Sequence, residues 1–345
     1  MSWQQQLTTQ SLPKITLAQT TLVAAFILAG LASNPARSWA QSTPPTAPET
    51  AAANLPILRR GDRGQLVQRL QFALINHRFY NGRVTGIFNS QIETAVKQAQ
   101  QRFRLQATGV VDVSTWNALL NTRVRLIALP SQGAPGLRQS AATRERCPRV
   151  NQPLTALIPS TNLALTVASH PTFWVYIPYS ATPNNSVEFV LQDEQYQDLY
   201  RAQLPEAFQS PGIVSISLPL TEAPLETGKR YYWYFLVYCD DPERTTEPAF
   251  VTGTSQRISL DPTLSSQLGT AVSPWERVLF YTRRGLWSDA LTTLAEFRRT
   301  EPEDVFLAVA WSNLLQDADL TELKLEPIVD CCTSSTPGQT VKIQR

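Results

Sequence analysis

Histidine is nearly absent: the chain has His77 and His170 and no other. Zinc peptidases and amidases need several His or Cys ligands in motif spacing, and that supply is missing here. Cysteine is scarce too, at positions 147, 239, 331 and 332. A cysteine transpeptidase needs a thiol activated by a neighbouring histidine, whereas Cys239 is followed by Asp240-Asp241, whose charge would raise a thiol's pKa. No phosphate-cradling glycine loop, Walker motif or calcium loop occurs, so no cofactor and no metal are implied. Long hydrophobic runs are also missing. The one candidate, Leu22 to Ala32, is about a dozen residues, short of the roughly twenty that span a bilayer, so no stable transmembrane anchor is expected.

That run has another reading. Lys14 precedes it and Ser38-Trp39-Ala40 follows as a small-x-small cleavage site before Gln41, the layout of a secretory signal peptide over residues 1–40. Export to a periplasmic or wall-associated location follows, and there an even number of cysteines is compatible with disulfides. Composition divides the rest. Residues 41–54 form a Pro/Thr/Ala tether, 55–121 a first folded block, and 122–146 a polar linker that includes the Gly/Pro-containing stretch from Leu129 to Glu145. A β-rich region over 147–262, a helical region over 273–328 and a tail over 329–345 complete the chain.

The first block shows three short helical patterns separated by glycine loops. In Gly61-Asp62-Arg63-Gly64 the aspartate is placed to cap a helix, with Gln65 at the reciprocal position, and Leu66, Leu70, Ala73 and Leu74 line one face as far as about Asn76. Ser90 with Glu93 suggests a second capping box, followed by the stripe Ile92, Ala95, Val96, Ala99 and Phe103. Asp112 caps a third helix carrying Trp116, Leu119 and Leu120. These residues, with Leu58-Arg59-Arg60, Leu70-Gln71, Gly86-Ile87-Phe88, Thr94-Ala95-Val96 and Gly109-Val110-Val111, resemble the peptidoglycan-binding domain 1 family. Ala99 stands where that family usually has an aromatic, and Arg104 where it has glycine. The resemblance implies a three-helix module that binds cell-wall glycopeptide without cleaving it.

Charge points the same way. Nine cations lie between Leu58 and Asn121 (Arg59, Arg60, Arg63, Arg69, Arg78, Arg83, Lys97, Arg102, Arg104) against Asp62, Glu93 and Asp112. The module is thus net +6 in a chain of net +2, so positive charge is concentrated in it. An export signal argues against nucleic acid as the partner of that charge. The expected recognition site is a shallow groove around Asp62 and the Gly61 to Gly64 turn, whose backbone amides, with Arg63 and Arg83, meet stem-peptide carboxylates. Tyr80 and Phe88 would supply apolar contact, although Phe88 reads more readily as a core residue and Tyr80 is the better surface candidate.

The second block is long enough to bury its own core. Strand-like runs occur at Asn162 to Val167, Thr172 to Ile177, Val187 to Leu191, Ile213 to Leu218, Tyr231 to Tyr238 and Ala249 to Thr252, separated by Pro, Asn and Gly turns. The step from Leu225 through Gly228 to Tyr231 looks like the tyrosine corner of immunoglobulin-like and fibronectin-type sandwiches, the fold expected here. The aromatic run Tyr231 to Phe235 invites a sugar-stacking reading, but alternation sends half of those rings into the core. Cys147, just before this region, and Cys239, at the end of its most apolar strand, are expected to form a disulfide; Cys331-Cys332 leaves free thiols, an intermolecular link or other pairing open.

From Ser273 the period becomes helical. Ser273-Pro274-Trp275-Glu276 is a capping box with proline at the first helical position, Gly285 stops the helix, and a second runs from about Ser288 to Thr300. Asp304 is placed to cap a third, bearing Phe306, Leu307, Ala310, Trp311, Leu314 and Leu315. The spacing of Tyr281, Gly285, Trp287, Ala290, Leu294 and Pro302 resembles one tetratricopeptide unit, expected to dock on the sandwich as a cap. The block as a whole resembles the domain-of-unknown-function family numbered 928, of exported cyanobacterial proteins, through Arg146-Cys147-Pro148, His170 to Pro178, Tyr231 to Tyr234 with Cys239-Asp240, and Gly285 to Leu291. That family has no assigned chemistry.

The expected function is therefore that of an exported, non-catalytic peptidoglycan-binding protein. Two alternatives stand beside it. One is a wall-remodelling hydrolase using a carboxylate pair drawn from Glu188, Asp193, Glu194, Asp240, Asp241 and Glu243. The other is an envelope scaffold that binds a protein partner.

Overall fold

A computed structural model describes residues 54–140, 147–180, 185–204, 211–271 and 273–329. The expected signal peptide, most of the tether, and Cys331 and Cys332 with the tail beyond Val329 lie outside the described residues.

The first block is three helices: α1 (Gln65–Asn76), α2 (Ser90–Arg102) and α3 (Val113–Asn121). Their apolar stripes converge, so that Leu70, Leu74, Ile92, Val96, Ala99, Trp116 and Leu119 are all buried. Asp112 caps α3 by accepting the Thr115 amide at 2.8 Å.

Eight strands follow: β1 (Thr155–Ala156), β2 (Leu163–Thr166), β3 (Thr172–Ile177), β4 (Ser186–Gln192), β5 (Asp198–Leu204), β6 (Gly212–Ser217), β7 (Arg230–Tyr238) and β8 (Ala249–Arg257). They form a three-stranded sheet in the order β1-β3-β6 and a five-stranded sheet in the order β2-β8-β7-β4-β5. All pairings are antiparallel except β2 with β8. The rings of Phe173 on β3 and Phe189 on β4 meet across the sheets at 4.9 Å, and Phe173 reaches Trp233 on β7 at 5.6 Å. Strand β7 alternates as its sequence suggested: Tyr231, Trp233, Phe235 and Val237 are buried, and Tyr232, Tyr234, Leu236 and Tyr238 are half-buried on the other face. The Tyr231 hydroxyl accepts the Glu226 amide at 2.7 Å, closing the corner at the start of β7. Cys147 and Cys239 are joined by a disulfide across a separation of 92 residues. Closing a loop of that length restricts the unfolded chain by about 4–5 kcal/mol in the chain-entropy model.

Four α-helices follow, α4 (Pro262–Gly269), α5 (Pro274–Thr282), α6 (Trp287–Thr300) and α7 (Val305–Asp317), and then a 3-10 turn, Thr321–Leu323. Ser273 caps α5 through the Glu276 amide, and Asp304 caps α7 through those of Phe306 and Leu307. Helix α6 covers the face of β3 that points away from the other sheet. There the Trp174 indole donates to Thr292 at 2.9 Å, and the Trp287 indole donates to the Leu157 carbonyl at 2.9 Å. Burial on both faces explains why β3 reads as a continuous apolar run.

Two expectations change. Residues 122–140 are a packed strap rather than a free linker. Leu126 and Ile127 are buried, their amides donate to the Asp317 carboxylate, and Ala156 donates to the Arg138 carbonyl at 2.8 Å. A polar, Pro/Gly-rich composition hides such partners, because they are backbone groups. Gly285 serves this strap as well as the helix end: its φ is 68°, and a Cβ there would lie 2.6 Å from the Ala128 carbonyl oxygen. The helices also do more than cap the sheets, since they hold the first block. Phe72 of α1 packs on Trp275 of α5 at 4.3 Å, and Trp116 of α3 meets Phe306 of α7 at 5.2 Å. Arg69 is nearly buried between the carboxylates of Glu301 and Asp304.

Asp289, in the first turn of α6, accepts the Val167 amide at 3.0 Å and the Thr166 hydroxyl at 3.2 Å. Burial pushes its carboxyl up to about 6, against the lowering effect of those hydrogen bonds. A carboxyl whose folded pKa is raised supports the fold most at low pH, and that support is lost as pH rises through about 6. Urea denaturation of the wild type and of Asp289→Asn should therefore diverge: between about pH 4 and pH 7 the wild type should lose up to about 3 kcal/mol relative to the variant. Parallel profiles would remove Asp289 as the origin.

Candidate functional site

The two glycine loops of the first block pair with each other. Gly64 donates to Gly86 at 2.9 Å, Gly61 to Phe88 at 2.9 Å and Phe88 to Asp62 at 2.9 Å, with an antiparallel bridge between Arg63 and Ile87. Gly86 sits at φ 72°, and a Cβ would come within 3.2 Å of the Gly64 carbonyl, so the close approach favours glycine. A buried glutamine fixes this pair from beneath. Gln71 of α1 accepts the Gly86 amide at 2.8 Å and donates to Thr85 Oγ1 at 3.1 Å and to the Ile87 carbonyl at 3.2 Å. One turn of architecture later the device recurs: Gln100 of α2 accepts the Gly109 amide at 2.9 Å and donates to the Val110 carbonyl at 2.8 Å and to Thr115 Oγ1 at 3.0 Å. Neither role follows from periodicity. The readable signal is an amide side chain inside an apolar helical stripe, followed by a glycine loop.

The expected ligand residues are only partly brought together. Asp62 does not cap α1: its carboxylate accepts the Arg59 amide at 2.8 Å, and the N-cap is Gly64, with no side-chain bond. Likewise Asn89, not Ser90, caps α2, through the Ile92 amide. The amides of Gly61, Asp62 and Gly64 are engaged internally, so they are not presented to a ligand. Phe88 is 1 % exposed and belongs to the core. Tyr80 is half-buried and its hydroxyl donates to the Arg83 carbonyl, while desolvation by burial raises its pKa. Arg83 bonds Glu276 and the Thr270 carbonyl, both from the helical region. Of the expected set, Arg63 is exposed without an ionic partner among the described residues.

Other arginines join it. Arg59, Arg78, Arg102 and Arg104 are exposed and form no ion pair with a described carboxylate, whereas Arg60 and Lys97 share Glu93. Helices α1 and α2 end alike, with Arg78 at φ 64° and Arg104 at φ 60°. The next amides, of Phe79 and Leu105, reach back to the carbonyls of Leu74 and Gln100, the closure that usually takes glycine. The ends adjoin, because Phe79 and Phe103 meet at 5.8 Å and the His77 ring lies 5.5 Å from Phe103. His77 donates to the Leu119 carbonyl at 2.9 Å, and burial lowers its pKa, so it serves as a neutral structural group. His170 is likewise engaged, bonding the Glu222 carbonyl and Ser169.

A second feature lies where the first block meets the helices. A groove of about 400 Å³ is walled by Leu55, Leu66, Pro302, Val305 and Phe306, with the Arg69 clamp at its side. In the second block several of the carboxylates proposed for hydrolysis have structural partners. Glu188 lies between Arg201 and Arg244, Asp193 accepts the Gln195 and Gln197 amides, and Asp241 is held down to about 2 first by the Thr246 hydroxyl. No group of three or more metal-ligating side chains occurs among the described residues.

The second block is delimited by its hydrogen bonds. Gln139 bridges Thr155 at one edge of the three-stranded sheet, and Ile328 bridges Ile213 at the other. Residues 139–328 match the family model Domain of Unknown Function (DUF928). The chain belongs to this family. The DUF928 match thus begins and ends where chain is added to the edges of one sheet, and it encloses the disulfide. Residues 63–119 match a second family model, "Putative peptidoglycan binding domain", which spans the Gly64–Gly86 pairing, α1, α2 and most of α3. The SleB N-terminal domain is a similar solved structure, 30% identical, covering 19% of this chain and 90% of that one, with a TM-score of 0.19. No curated protein matches.

Gln71→Ala should remove the clamp and strand the Gly86 amide and the Ile87 carbonyl. The expected loss is about 2–4 kcal/mol in urea denaturation, with faster amide exchange at Gly86. Unchanged exchange there would show that the loops hold each other without the glutamine.

Proposed function

We propose that this DUF928 protein is exported and anchors to peptidoglycan without cutting it. Its three-helix module, residues 55–121, would make the contact, and the exposed arginines without ionic partners among the described residues are the observation that carries the reading. A patch formed by Arg78, Arg102 and Arg104 around Phe79 and Phe103, with Arg59 and Arg63 at the paired loops, offers charge to stem-peptide carboxylates and apolar surface beside it. The family match over residues 63–119 supports this choice of partner. A signal peptide over residues 1–40 would export the chain, and the disulfide suits an oxidising compartment. No helix among the described residues is long and apolar enough to cross a membrane. The two sheets of the second block are read as an immunoglobulin-type sandwich, and α5 with α6 as a tetratricopeptide-like hairpin.

The non-catalytic reading draws support from the second-block carboxylates, several of which are committed to structural bonds. Co-sedimentation of the chain beginning at Gln41 with insoluble sacculi, with analysis of the supernatant, tests both parts. Binding without soluble fragments is expected, and Arg102→Gln with Arg104→Gln should weaken it by about tenfold and flatten its salt dependence. Released fragments would favour the hydrolase instead. Absence of binding would leave the module structural and favour a scaffold for a protein partner.

A further inference from the structure

The outer face of the five-stranded sheet carries a tyrosine cluster that neither the core nor the disulfide uses. Tyr196 lies in the turn between β4 and β5, and its ring stacks on Tyr232 of β7 at 5.0 Å with an interplanar angle of 13°. With one face against Tyr232, Tyr196 is still 60% exposed, so its other face is open. Tyr234 continues the row on the same face of β7, about 6–7 Å further on. Burial raises the pKa of Tyr232 and Tyr234, with Tyr196 adding to the effect, and both hydroxyls stay neutral donors at ordinary pH.

The turn holds this ring rigidly. Asp193 accepts the amides of Gln195 and Gln197 and donates its own amide to the Gln197 carbonyl, while Glu194 accepts the Arg230 amide at the start of β7. Tyr196 itself sits at φ 60°, a conformation that favours glycine or asparagine. A large aromatic kept exposed in an unfavourable backbone position suggests that the ring is there for contact. Beside it, the planar polar groups are fixed and mutually neutralised. Gln192 donates to Asp198, Asp198 pairs with Arg201, and Glu188 lies between Arg201 and Arg244. A flat open ring bordered by directional donors and acceptors, with Glu188, Asp193, Glu194 and Asp198 set against Arg201, Arg230 and Arg244, suits a sugar ring. The slight excess of carboxylate there disfavours an anionic polymer.

We propose that Tyr196, Tyr232 and Tyr234 form a stacking site for an N-acetylated pyranose chain, the glycan strand of the cell wall. The choice of that glycan rests on the wall-anchoring reading. The apolar face of one sugar would lie on the open face of Tyr196, and its hydroxyl and acetamido groups would meet Gln192, Asp198 and Arg201.

Titration calorimetry of the whole chain from Gln41 with chitohexaose tests this. Wild type should bind. Tyr196→Gly, which relaxes the backbone and so keeps the fold, should weaken binding by roughly tenfold or more, whereas Tyr196→Trp should hold it within roughly threefold. Arg102→Gln with Arg104→Gln should leave chitohexaose affinity unchanged. No binding by the wild type, no effect of Tyr196→Gly, or equal losses in the glycine and tryptophan variants would overturn the site. Sacculus co-sedimentation separates the two readings. Chitohexaose binding together with sedimentation that is unchanged by Arg102→Gln with Arg104→Gln would defeat the module anchor alone, and sedimentation without chitohexaose binding would defeat the tyrosine site alone.

Discussion

The seam between the three-helix module and the C-terminal helices is the constraint on which the rest of the structure depends. Trp275 stands at its centre, against Phe72 of the module on one side and Phe297 of α6 on the other. Burying such rings contributes roughly 2–3 kcal/mol each. Arg69 alongside them is a different kind of contact. Its desolvation is costly and is offset only because two carboxylates converge on it, one of which, Asp304, also caps α7. The clamp thus ties the start of a helix to the seating of the module. Through α6, which bonds Trp174 and Thr166 of the sheets, the same seating reaches the β region.

Docking changes which module surface a ligand can reach. Arg69 and Arg83 are spent on Glu301, Asp304 and Glu276, and the paired loops consume their own amides. The exposed arginines that form no ion pair with a described carboxylate lie at the turn Arg59 to Arg63 and at the joined ends of α1 and α2. A module seated in this way would hold the DUF928 sheets in a set orientation to whatever it binds. A flexibly linked one would only raise their local concentration.

The local rules were legible. Helical stripes at Leu70, Leu74 and Leu294, alternation in β7, and the caps Asp112, Ser273 and Asp304 all depend on neighbours a few residues away, and they appear where periodicity placed them. The caps at Asp62 and Ser90 were displaced because backbone pairing between two glycine loops, and an Asn one residue earlier, offered better partners. Strand β5 leaves no apolar run in the sequence because an edge strand carries Asp198, Arg201 and Gln203 on its exposed side, and β1 is too short to show a period. The seam left no local trace. Arg69 and Asp304 are far apart in sequence, and the engagement of Arg83 follows from tertiary contacts alone.

Differential scanning calorimetry of the chain from Gln41, with its disulfide intact, bears most directly on the central claim that module, sheets and helices form one cooperative body. A single transition is predicted, with equal calorimetric and van't Hoff enthalpies, shifted as a whole to lower temperature by Trp275→Ala. Two transitions, with the module melting by itself and indifferent to Trp275→Ala, would contradict it.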